Sequence, residues 1–208
     1  MKNIDENIKE KALIAKALEN ACEYKDYRIL VDKLATEGKT TGTDQKISLV
    51  EYTQLNSRRM KRWDKTFRFS EDSLEELKKL HKPALWLVIT ESWCGDAAPS
   101  LPIMNKISQE NNKINLKVVL RDENEELIKH FNTNGALSIP KLIMMDPTSL
   151  EVLNTWGPRP STATQMAQEF KEAHGSLTAD FKENLQQWYN KDKGQNISED
   201  LINLLALE

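Results

Sequence analysis

The apolar run Ala84-Leu85-Trp86-Leu87-Val88-Ile89 leads directly into Thr90-Glu91-Ser92-Trp93-Cys94-Gly95-Asp96-Ala97-Ala98-Pro99, and no other stretch constrains the chain as much. A β-prone run of that length reads as a buried strand, and Leu101, Met104 and Ile107 then recur at helical spacing. Cys94 therefore falls where a strand hands over to a helix. Free N–H groups and the dipole at a helix start favour a thiolate, and such cysteines reach pKa values of roughly 3.5–7.5 against about 8.5 unperturbed. Asp96, two residues on, pulls the other way, because a carboxylate near the sulfur disfavours a second negative charge. The sequence leaves that sum open. Cys94 is its best nucleophile candidate.

The same residues carry a family resemblance. Trp93-Cys94-Gly95 plus two residues resembles the Trp-Cys-Gly-Pro-Cys active site of thioredoxin, and Pro102 stands eight residues after the cysteine, like the proline that kinks the thioredoxin helix. Ser138-Ile139-Pro140-Lys141-Leu142-Ile143 looks like the segment in which thioredoxin-fold proteins hold a cis proline against the active-site cysteine. Leu153-Asn154-Thr155-Trp156-Gly157 resembles the last strand and its terminal glycine. Together these landmarks span about ninety residues, Ala84 to His174. They imply a thioredoxin-like α/β fold, a mixed sheet flanked by helices, with a helical N-terminal extension and extra C-terminal helices. The expected organisation is an extension over residues 1–83 packed on the core, a thioredoxin-like core over 84–175, and a helical extension over 176–208.

The departures from the family pattern are chemical. A dithiol oxidoreductase needs a second thiol to attack the mixed disulfide, and Ala97 stands where thioredoxin has it. Asp96 replaces the usual proline, and Val88 stands where thioredoxin buries the acid that serves the resolving thiol. A CxxC reductase is thereby excluded.

Along the chain, Ile4, Ile8, Ala12, Ala15, Leu18 and Cys22 predict an amphipathic helix over about 4–22, with Cys22 at the end of its apolar face. Cys22 reads as a small buried residue; its alternative role is a distant resolving thiol for Cys94. Tyr27, Leu30, Val31 and Leu34 predict a second helix ended by Gly38. Gly38 to Asp44 reads as a loop. A third helix is predicted over about 48–67 with Leu49, Tyr52, Leu55, Met60 and Trp63 inward, and a fourth over 71–81 capped by Ser70. Ile114 to Leu120 is a strand, Glu125 to Phe131 a short helix, and Lys141–Met145 with Glu151–Trp156 a hairpin. Ser161 is predicted to cap a further helix, Leu177 to Trp188 mark another, and the tail Leu201–Leu207 a last one. Gly157-Pro158-Arg159-Pro160 stiffens the backbone around Arg159. That arginine either meets a substrate carboxylate or the thiolate, or pairs with an acid on the adjacent helix.

With 208 residues and 39% hydrophobic content the chain can build a real core. Two cysteines make no disulfide framework, and Met1-Lys2-Asn3-Ile4-Asp5-Glu6 has neither a signal-peptide core nor a lipidation box, so a cytoplasmic, reducing setting is the default. No apolar run approaches the about 18–20 residues that span a bilayer. A net charge of −3 argues against nucleic acid, and Arg58-Arg59-Met60-Lys61-Arg62-Trp63 reads as a solvated helix face with Met60 and Trp63 inward. His81, His130 and His174 are scattered and read as exposed helix residues, so neither a metal nor another cofactor is expected. Oligomeric state is not legible.

Two functions follow from the resemblance. In the first, Cys94 is the catalytic residue of a monothiol protein, forming mixed disulfides or adducts with a thiol or disulfide client, glutathione included, resolved by an external thiol. Trp93, Gly95, Asp96, Ile139, Pro140 and Arg159 then form the substrate surface. In the second, a non-catalytic binding module holds a peptide or protein partner in the groove near Trp93 and Pro140. A third reading is a structural protein whose helical layers cover that groove.

Overall fold

The computed structural model describes residues 4–205. The chain opens with α1 (Ile4–Glu19), a two-residue strand β1 (Cys22–Glu23), α2 (Tyr24–Glu37), α3 (Ile47–Thr66) and α4 (Glu71–Lys78). The central strand β2 (Ala84–Thr90) is buried along its whole length. It is followed by α5 (Ala97–Glu110), β3 (Ile114–Leu120), α6 (Glu125–His130), β4 (Lys141–Met145) and β5 (Val152–Trp156). Helices α7 (Ser161–His174), α8 (Ala179–Asp192) and α9 (Gln195–Asn203) complete the described chain.

The strands form one mixed sheet in the order β1-β3-β2-β4-β5. β2 runs parallel to β3 and antiparallel to β4, with Val88 opposite Val118 on one side and Leu142 on the other. A strand with a neighbour on each edge and helices on its faces has no solvent side, which is why its sequence is apolar without alternation. This is the thioredoxin-like sheet that the resemblance implies, with helices before and after it.

Several expectations change in detail. Helix α1 ends at Glu19, and Cys22 lies on β1 opposite Val118. The buried face of α1 is Glu10, Ile14 and Ala17, whereas Ile4 and Ile8 are exposed. Periodicity of apolar residues missed this rotation because the face is anchored by a polar pair, Glu10 to His130 Nε2 at 2.8 Å. His130 is thus half-buried and partnered, not an exposed helix residue. On α3 the buried residues are Thr53, Asn56, Met60 and Trp63, while Tyr52 is exposed. Met60 and Trp63 do turn inward, as the sequence predicts.

The caps follow elementary rules. Ser70 accepts a hydrogen bond from the Ser73 N–H at the start of α4, and Gly38 ends α2. Ser161 is the first residue of α7 instead of its cap, which is Pro160. The apolar C-terminal segment packs on the chain's own body: Leu201, Ile202 and Leu205 are buried, and α9 contacts α4, α5 and α7. Ala206 and Leu207 of the expected tail helix, and Met1 to Asn3, lie outside the described residues. No helix among those described is long and apolar enough to cross a membrane.

Candidate functional site

The site is assembled at the carboxyl end of β2. The strand stops at Thr90, the Cys94 N–H closes a turn onto the Glu91 carbonyl at 3.1 Å, and α5 begins at Ala97. The Ile139–Pro140 peptide bond across from it is cis, as the resemblance implies, and the Cys94 thiol donates to the Ile139 carbonyl, Sγ to O 3.2 Å. Cys94 is only 6% exposed.

The competition left open by the sequence is decided against the thiolate. Burial, and after it the Asp96 carboxylate, push the Cys94 thiol up to about 12, against the opposing pull of the Ala97 and Asp96 N–H groups and of Arg159. At pH 7 such a thiol stays protonated. The helix-start N–H groups pull the thiol's pKa down, but they do not offset the loss of water around it.

Asp96 is the N-cap residue of α5, yet its carboxylate caps nothing. It turns instead to Arg159, whose Nη2 lies 2.7 Å from Oδ2, and to the Tyr189 hydroxyl, 3.3 Å from Oδ1. Arg159 therefore pairs within the chain, but with Asp96 at the start of α5 and not with an acid on the adjacent helix α7 as the sequence suggests. Burial raises the Asp96 pKa despite the guanidinium beside it, and raises that of the Tyr189 phenol well above its ordinary value. The Gln186 side-chain amide reaches the Gly95 carbonyl at 3.4 Å. Helix α8 therefore lies over the Cys94 loop, with Phe181, Leu185 and Tyr189 buried beneath it.

Gly157 brings the Arg159 segment into place. Its φ is +115°, and a Cβ there would collide with the Pro140 carbonyl, so only glycine lets the end of β5 approach the cis proline this closely. The following Gly157–Pro158 bond is also cis.

The other flank of the loop was not legible as a site. Ser92 is buried and fastened by four residues from the N-terminal part: Thr40 and Thr53 hydroxyls at 3.1 and 2.8 Å, the Thr41 N–H at 3.0 Å, and the Asn56 amide on its carbonyl at 3.0 Å. The Ser92 N–H in turn donates to the Thr41 hydroxyl at 2.9 Å. The loop over Gly38–Asp44 is thus a strap that holds the Cys94 turn. Polar residues Thr53 and Asn56, in step with Met60 and Trp63 on the inward face of α3, were the available signal.

Beside this strap Glu91 is fully buried and accepts the Asp122 N–H at 2.9 Å, while its Oε2 is buried with no hydrogen-bond partner. Burial raises its pKa, against the Thr41 hydroxyl and the Asp122 N–H. Arg121 pairs with Asp122 at 2.8 Å and lies 4.8 Å over the half-buried Trp93 ring.

Of the seven residues singled out from the sequence, Cys94, Asp96, Ile139, Pro140 and Arg159 converge on one point, with Gly95 under Gln186. Trp93 faces the opposite flank. Cys22 does not join them. Its thiol donates to the Val118 carbonyl at 3.6 Å, and burial, then Asp26, raise its pKa. The register puts Cys22 two strand spacings, about 9.5 Å, from Val88, and Cys94 lies beyond the end of that strand. A disulfide needs Cα atoms within about 7 Å.

Comparison with known proteins agrees with this geometry. A protein-family model described as thioredoxin matches residues 42–173. No curated protein matches the sequence. Among solved structures, a Pseudomonas aeruginosa protein of unknown function superposes with a TM-score of 0.60 at 13% identity, covering 91% of this chain and 95% of that one. An HIV epitope scaffold gives 0.57 at 13% identity, covering 88% and 97%. At such identity these two show the fold alone. The family match spans most of the sheet and the helices around it, and the chain belongs to the thioredoxin-like family.

Proposed function

We propose that this protein is a non-catalytic thioredoxin-like binding module, which holds an extended peptide segment of a partner across the Cys94 loop, between Trp93 on one flank and the Ala136–Ser138 segment before Pro140 on the other. One observation carries the reading: Cys94 is covered by α8, hydrogen-bonded to Ile139 and held protonated with its pKa pushed up to about 12. A covered, protonated thiol is a poor nucleophile, which supports a role that does not use it. Beside it Leu137 is 43% exposed, and Trp93 is half-buried with the Arg121 guanidinium over its ring. Extended partners pair with an exposed edge through backbone hydrogen bonds and place alternate side chains in pockets.

A peptide library selected on the wild-type protein tests this. Selected peptides should lose about tenfold or more in affinity for Trp93→Ala, a usual loss for an aromatic anchor, and bind Cys94→Ser unchanged. Binding that vanishes with Cys94→Ser and survives Trp93→Ala would overturn it.

A second reading, monothiol exchange through Cys94, is favoured by one feature: the Asp96 and Ala97 N–H groups at the start of α5 act to lower the thiol's pKa. Were α8 to move away, those donors would remain and the burial would not. Alkylation of Cys94 against pH, located by mass spectrometry, separates the readings. In the wild type and in Tyr189→Ala, a Cys94 that is inert or reacts only above the range of free cysteine supports the binding module. A midpoint below that range in either protein would establish thiol chemistry.

A further inference from the structure

A recess of about 570 Å³ lies where the end of α3 meets the α8–α9 junction, away from the Cys94 loop. Arg62, Arg68 and Lys193 line it together with Thr66, Asn190 and Gln195, and no acidic residue does. We propose that this recess is a binding site for a small phosphorylated molecule.

The two guanidinium groups are positioned by neutral acceptors. Arg62 lies 5.6 Å over the Trp63 ring and donates through Nη2 to the Asn190 side-chain oxygen. Arg68 donates through Nη1 to the carbonyls of Lys65 and Phe67, at 2.9 and 2.7 Å. Among the described residues neither they nor Lys193 is in an ion pair, whereas lysines elsewhere on the surface, such as Lys78 and Lys129, sit on carboxylates. Three cationic side chains thus line one recess, none of them held by a carboxylate among the described residues, and two of them are already ordered, which reduces the entropy lost on binding. Forked guanidinium donors match the tetrahedral oxygens of a phosphate.

The backbone that carries Lys193 is equally fixed. Lys193 has φ +58°, a conformation that lysine rarely adopts, and Gly194 is packed so closely on Trp63, Phe67 and Ile103 that a Cβ would collide with Ile103. The α9 N-terminus is not the anion site, because Asp192 already accepts N–H groups there, Asn196 at 3.1 Å. The site is made of side-chain cations. Its volume falls within the roughly 300–1,000 Å³ of small-ligand pockets, which suits a compact phosphate ester more than an extended polyanion.

Calorimetric titration of the full chain with inorganic pyrophosphate, at constant ionic strength of about 0.15 M to hold screening fixed, tests the proposal. The expected result is one saturable site with Kd below about 1 mM, weakened tenfold or more in R62A/R68A and in K193A, and changed less than twofold in K61A, a neighbouring cation outside the recess. Absence of saturation, or an equal loss in K61A, would overturn the proposal, the second outcome marking a diffuse basic surface. Circular dichroism of each variant confirms that lost binding is not lost folding. An RNA oligonucleotide that binds more tightly than pyrophosphate and is weakened equally by K61A would also overturn it.

Discussion

On the β4 and β5 side of the Cys94 loop, Asp96 is met by a guanidinium and a phenol; on the β3 side, Glu91 is met by one backbone N–H and keeps an oxygen without a partner. Glu91 is fully buried and Asp96 largely so, and both are pushed towards the protonated form by burial. Only Asp96 is in direct contact with a cation; Arg121, which also acts on Glu91, is paired with Asp122. The difference shows that the Asp96 flank is a clasp between elements distant in sequence, β5–α7, α5 and α8, whereas the Glu91 flank is a seam closed by hydroxyls and amides from the Thr40–Asn56 region. Cys94 sits between the two and gains water from neither.

The strongest way to break the comparison is to remove the guanidinium. Arg159→Met leaves the Asp96 charge nearly buried and unpaired, a change that costs about 3 kcal/mol in comparable pairs, measured by urea unfolding. Asp96→Asn in the same chain should recover most of the loss. If Arg159→Met is neutral, Asp96 is not held as an ion and the two flanks are alike. Tyr189→Phe tests the lesser partner: losing its hydrogen bond should cost about 1 kcal/mol, with faster alkylation of Cys94 than in the wild type because α8 is held less firmly.

How much of this was legible follows from the kind of interaction. The central strand, the Cys94 turn and the cis Ile139–Pro140 bond all come from local sequence, through an apolar run, a motif and its spacing, and each is where the sequence places it. Arg159 could be flagged from its prolines, but its partner could not be chosen, because Asp96 lies 63 residues away and pairing depends on the glycine-permitted approach of Gly157 to Pro140. Tyr189 and Gln186 were invisible for the same reason: on α8 they look like ordinary helix residues. The Ser92 strap was hidden by a different cause. Inward positions of α3 were sought among apolar side chains, and this face buries Thr53 and Asn56 as well. The missed rotation of α1 has the same origin in Glu10 and His130.

The unpaired acid makes a prediction about pH. A carboxyl group whose folded pKa is raised above its ordinary value of 4.5 keeps its proton longer in the native state than in the unfolded chain. Its contribution to stability is therefore complete below about pH 4.5 and is lost as pH rises through the folded pKa. Glu91→Gln cannot ionise, so its stability should fall less than that of the wild type between pH 4.5 and 7.5, in urea titrations at several pH values. Asp96→Asn is the matched control, and because it also strands Arg159 it should lose stability at neutral pH where Glu91→Gln gains it. Equal behaviour of the two variants would erase the distinction between clasp and seam.

The smallest effect concerns the outer edge of the seam. Arg121 stacks on Trp93 at 4.8 Å while its guanidinium also holds Asp122, whose N–H supports Glu91. A cation over an indole at a partly exposed site contributes about 0.5–1 kcal/mol, and the adjacent ion pair, about a quarter exposed on each side, adds little. Arg121→Ala should accordingly lower stability by less than about 1 kcal/mol and leave the alkylation rate of Cys94 unchanged, since the clasp is on the far side of the loop. Trp93 should become more accessible to acrylamide quenching, read in a variant whose other four tryptophans are replaced by phenylalanine. A rise in Cys94 reactivity in Arg121→Ala would mean that the two flanks act as one unit, because loosening the seam would then have opened the clasp.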